Sequence, residues 1–76
     1  MIMFKTKIRL DTMSDVNKFV SIASTINSKV YLQDGKDFCI SAKSILGGLA
    51  AIEWNEVYCI SEEDIYNKIS MFATNE

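Results

Sequence analysis

The apolar residues of this chain change their spacing several times, from every second residue to every third or fourth and back. That switching restricts the chain to a fold that mixes strands and helices. Over residues 4–10, Phe4, Ile8 and Leu10 fall on one side with Thr6 among them, and Lys5, Lys7 and Arg9 fall on the other, which predicts a strand with one wet face. Asp11-Thr12-Met13-Ser14-Asp15 then supplies the chemistry of a helix start. Thr12 or Ser14 can serve as N-cap, and Asp15 suits the positive end of the helix dipole. Val16, Phe19, Val20, Ala23 and Ile26 form one apolar stripe, which Asn27-Ser28 ends. Val30 and Leu32 alternate with Tyr31 and Gln33, Asp34-Gly35 is a short hairpin signal, and Phe38 and Ile40 carry the alternation along a return strand that ends near Ser41.

Ser44 stands where an N-cap belongs, ahead of Ile45, Leu46, Leu49 and Ile52. Gly47-Gly48 lowers helix propensity, so a short helix is expected, broken at Trp54-Asn55. Val57-Tyr58-Cys59-Ile60 reads as a strand. Ser61 and Asp64 have the spacing of a capping box, opening a last helix with Ile65, Ile69 and Phe72 on one face. The predicted order is βαββαβα, a two-layer α+β open-faced sandwich with helices on one face of the sheet and right-handed strand–helix–strand crossovers. Without proline or a glycine-rich linker, residues 1–76 read as a single domain with one modest core. Many unrelated functions share this layout, so the layout alone says little about activity.

A net charge of −2 gives no electrostatic footprint for nucleic acid. Lys5, Lys7 and Arg9 read as a solvated face that also protects a sheet edge. With no histidine and no CxxC pair, neither a metal site nor any other cofactor is expected. The sequence leaves a disulfide between Cys39 and Cys59 open, and two reduced, half-buried thiols are the expected state. No basic leader precedes an apolar run, and no stretch approaches the roughly 18–20 apolar residues of a membrane span. A cytoplasmic protein is expected, with no membrane partner.

Ser41-Ala42-Lys43-Ser44-Ile45-Leu46-Gly47 resembles the serine-site segment of the HPr family, the small phosphocarriers of the bacterial sugar phosphotransferase system. Val20-Ser21-Ile22-Ala23-Ser24 resembles the end of that family's first helix, and the similarity in element order runs over nearly the whole chain. The resemblance implies an HPr-like fold, a four-stranded antiparallel sheet covered on one face by three helices. It implies regulatory phosphorylation at Ser44 by an ATP-dependent serine kinase, with the modified protein acting on a transcriptional regulator of carbon metabolism. It also makes Lys43, Ile45, Leu46 and Leu49 a partner-binding patch beside the serine. The bland reading is that Ser44 only caps a helix and the apolar residues only fill a core. At least one of Leu46 and Leu49 is expected to stay exposed, since one short helix cannot bury them all.

The family's active segment, His-x-Arg-Pro at the start of the first helix, is replaced here by Thr12-Met13-Ser14-Asp15. Thr12 holds the position of the missing active histidine. A threonine forms only a stable phosphate ester, and Asp15 repels an incoming phosphate. Phosphohistidine transfer is excluded because the chain has no histidine at all. Cys39 and Cys59 lack a glycine nest or an arginine cradle, so neither is expected to carry phosphate. No catalytic set is present, and a non-enzyme is expected. Three readings follow. One is a regulatory HPr relative that binds a protein partner. The second is a structural or assembly module with a partner unrelated to sugar transport. The third and weakest is a small-molecule sensor, for which the glycine-rich loop after the first strand is missing. Trp54 discriminates: exposed beside Leu49 it is an interface anchor, and closing the core it is neutral. The sequence leaves the oligomeric state open.

Overall fold

The computed structural model describes residues 3–35 and 38–74. Its elements are β1 (Phe4–Ile8), α1 (Met13–Ser24), β2 (Val30–Gln33), β3 (Cys39–Ser41), α2 (Ile45–Ile52), β4 (Val57–Ser61) and α3 (Tyr66–Ile69), followed by a single 3-10 turn (Ser70–Phe72). The four strands form one antiparallel sheet in the order β1-β4-β2-β3. In that order β1 runs parallel to β2 with β4 between them, and β3 runs parallel to β4 with β2 between them. Each strand–helix–strand unit therefore leaves a slot that a strand of the other unit fills. The α+β architecture with an antiparallel sheet and three helices agrees with the predicted order.

One face of the sheet is buried. Val30 and Leu32 of β2, Val57, Cys59 and Ser61 of β4, and Ile8 of β1 point inward, while the residues between them on β2 and β4 are half-buried. The helices supply Val16, Phe19, Val20, Ala23, Ala51 and Ile69 to the same core. Phe19 and Phe72 meet edge to face with ring centroids 5.5 Å apart, which fastens the C-terminal segment to α1. The outer edge of β1 is partly covered by that segment: Arg9 N–H donates to the Phe72 carbonyl, Thr74 N–H donates to the Lys7 carbonyl, and Ile8 bridges Ala73. Charged side chains on β1 are thus only part of what protects this edge.

Several expectations need correction. Ser61 does not open the last helix. It ends β4, buried, and its hydroxyl donates to the Glu63 carbonyl at 2.7 Å. The helix begins later, with Ile65 at an N-cap that has no side-chain cap bond, and Asp64 accepts from Tyr66 N–H instead. Pairing of Ser61 with both Phe4 and Val30 draws this residue into the sheet, and that outweighs its capping tendency. The first helix ends at Ser24 rather than near Ile26, yet Ile26 is still buried. The hairpin is not a two-residue turn: the last pair is Gln33 with Cys39, and Gly35 takes φ +88° within the longer connection. Phe38 falls in that connection, outside β3, and is exposed. The thiols are not alike: Cys39 is exposed and Cys59 is buried, and both are free.

Gly47 and Gly48 do more than weaken α2. A Cβ at Gly48 would lie 2.6 Å from Val16 Cγ1, and one at Gly47 would lie 2.7 Å from the Ser41 carbonyl oxygen. Missing side chains let α2 settle against α1 on one side and against β3 on another. Local propensity is sacrificed for close packing.

Candidate functional site

The start of α2 is where sequence and structure concentrate candidate residues. Ser41 ends β3, and its hydroxyl accepts the Lys43 N–H at 3.2 Å, which turns the chain toward the helix. Ala42 is buried, and its N–H donates to the Val30 carbonyl, fixing the turn to the sheet. Ser44 then takes an extended conformation and its Oγ accepts the Gly47 N–H at 3.4 Å, so it is the N-cap that its position predicts. The first turn of α2 holds no acidic residue.

The apolar residues after Ser44 divide between core and solvent. Leu46 is 79% exposed and Ile45 is 43% exposed. Leu49 is half-buried, and Gly48 and Ala51 form the buried side. The expectation that Leu46 or Leu49 stays out of the core is met at Leu46. Lys43 is exposed as a residue, and its ammonium donates to the Ile26 carbonyl at 2.7 Å in a part-buried contact. That contact places a cation just beyond the C-terminal end of α1, whose own last turn has no basic residue. Nothing in the local pattern around Lys43 signals it, because its partner is contributed by a different element.

The start of α1 is built differently. Thr12 caps α1, its Oγ1 accepting the Asp15 N–H at 3.1 Å. Asp15 Oδ2 accepts the N–H of Thr12 at 3.3 Å and that of Asp11 at 3.1 Å. A carboxylate thus already occupies the amides at this helix start. The single arginine of the chain, Arg9, pairs through Nε with Asp11 Oδ1 at 3.1 Å, on exposed side chains. Both groups that would steady a phosphoryl anion are engaged by carboxylates.

The two free cysteines differ: Cys39 is exposed and Cys59 is sealed in the core. Burial pushes the Cys59 thiol up to about 12, so it stays protonated at neutral pH. Cys39 is on the edge strand. Among the described residues, no group of three or more acidic or cysteine side chains could hold a metal ion. Among the described residues, no helix is long and apolar enough to cross a membrane.

Trp54, just past the C-terminal end of α2, is partly buried against the core and also meets Phe38 edge to face, centroids 5.8 Å apart. It neither closes the core alone nor stands free. The pairing with Phe38 was hidden from sequence reasoning, since strand alternation assigns Phe38 the same face as Ile40.

The fold defines an α+β domain with a singly covered antiparallel sheet, and the candidate site is a serine-capped helix start with an exposed apolar turn. Comparison with protein-family models, curated proteins and solved structures finds no match to this chain.

Proposed function

We propose that this chain is a regulatory protein-binding module related to HPr and not competent for phosphohistidine transfer. It docks a protein partner through Ile45, Leu46 and Leu49, with phosphorylation of Ser44 as the switch. The observation that carries this reading is the exposure of Leu46 and Ile45 directly after a serine N-cap whose helix has no carboxylate in its first turn. A phosphate on Ser44 would face unpaired helix amides and the positive dipole end, with the Lys43 ammonium one residue away in sequence. It would compete with the Ile26 carbonyl for that ammonium, and so couple the charge state of Ser44 to the loop that follows α1. The implied partners are a serine kinase and a transcriptional regulator, in a bacterial cytoplasm.

The test is intact-mass spectrometry after incubation with ATP and an HPr serine kinase, alongside Ser44→Ala. One added phosphate that disappears in the variant is the expected result. A folded protein that gains no phosphate would overturn the switch. A second reading, an assembly module with a partner unrelated to sugar transport, is favoured by the exposed Phe38 beside Trp54, an aromatic pair contributed by the hairpin and the α2–β4 loop.

A further inference from the structure

Beyond the C-terminal end of α2, opposite to Ser44, the β2–β3 hairpin and the α2–β4 loop border a cleft of about 500 Å³ lined by Asp34, Glu53, Trp54, Asn55 and Glu56. Its apolar part is Trp54, and the 56%-exposed Phe38, outside the lining, packs against that indole at 85°. Its polar part is acidic. Glu56 is engaged by Lys7 at 3.7 Å and by the Tyr58 hydroxyl at 3.4 Å. Glu53 lies at the C-cap of α2, exposed, with no ion pair among the described residues.

We propose that this cleft docks an arginine or lysine side chain from a basic segment of a protein partner. Charge complementarity and the aromatic pair select that occupant together. An apolar side chain would strip water from the carboxylates without replacing it. An acidic side chain would be repelled. A cation on an aliphatic stem meets both demands: the stem lies along the Trp54 side chain, and the head group faces the indole and the Glu53 carboxylate. Arginine suits the site better than lysine, because its planar head can stack and bond a carboxylate at once. This surface uses neither Ser44 nor Leu46, so it stands or falls apart from the reading above.

Trp54 is the only tryptophan of the chain, so its fluorescence reports on the cleft directly. The probe is an acetylated, amidated tri-arginine peptide, and the control is the same peptide with citrulline, which keeps the shape and removes the charge. The expected result is a saturable change in emission with arginine and none with citrulline. Glu53→Gln should weaken the arginine response about threefold, the scale of an exposed ion pair. Glu63→Gln, an exposed carboxylate beyond the opposite end of β4, should leave it unchanged. Far-UV circular dichroism verifies that both variants fold. Equal responses to the two peptides, no response to either, or equal weakening by Glu63→Gln would each overturn the proposal.

Discussion

At the start of α1, Thr12 Oγ1 accepts the Asp15 N–H while the Asp15 carboxylate accepts the N–H groups of Thr12 and Asp11. At the start of α2, Ser44 Oγ accepts the Gly47 N–H, and no carboxylate comes back to the helix end. Both helices therefore open on a hydroxyl cap, but only one is closed by its own sequence. The closed start carries its own anion and has no need of another. The open start is followed by Ile45 and Leu46, which the core does not use. Residue type at the cap is thus a poor guide to function, and the residue three positions later is a better one. An acid there completes the cap internally. A glycine there leaves the amides available and lets the neighbouring strand come close.

Substitutions at the two helix starts and at the contact between the helices test this difference. Gly48→Val should have the largest effect, a loss of about 3 kcal/mol, because overpacking against Val16 pushes α2 away from α1. Urea denaturation measures it, and a loss under about 0.5 kcal/mol would mean that the two helices are not held together at Gly48. Thr12→Ala comes next, at about 1 kcal/mol, since it removes the hydroxyl half of a reciprocal cap while the backbone N–H that Asp15 accepts remains. Adding Asp15→Asn should cost less than the sum of the two single changes, which a double-mutant cycle reads as coupling. Ser44→Ala should cost only about 0.5 kcal/mol, the low end for a cap, because its bond is long and has no return partner. Equal losses at Thr12 and Ser44 in thermal unfolding would erase the distinction between the two ends. Leu46→Gln should change stability by less than about 0.5 kcal/mol, as expected for an exposed position. The same change should weaken partner binding about tenfold or more if Leu46 anchors the interface, measured by titration calorimetry once a partner is in hand.

Much of the fold was legible along the chain. Val30-Tyr31-Leu32-Gln33 and Val57-Tyr58-Cys59-Ile60 are strands as their patterns predict, and Val30 and Leu32 share the buried face. Of the two candidates Thr12 and Ser14, Thr12 is the cap of α1, and Ser44 caps α2 as its position predicts. Ser61 was misread because its spacing to Asp64 satisfies a local rule, whereas its backbone is taken by pairing with residues far away in sequence. Cys39 and Cys59 could not be told apart by residue type: one lies on an edge strand of the sheet and the other on a central one. The exposed side of α2 was legible in part, because one short helix cannot bury Ile45, Leu46 and Leu49 together. Which of them remains outside depended on how α2 rolls against its neighbours.

Local sequence was enough for the element order, the starts of α1 and α2 and the absence of imidazole chemistry. Those follow from side chains acting on backbone groups three or four residues away, or from composition alone. Tertiary structure decided why Gly47 and Gly48 are small, where the Lys43 ammonium goes, that Phe38 meets Trp54, and which thiol is sealed in the core. Each of those outcomes is fixed by contact or desolvation between segments distant along the chain, and their energies exist only once the segments have packed together.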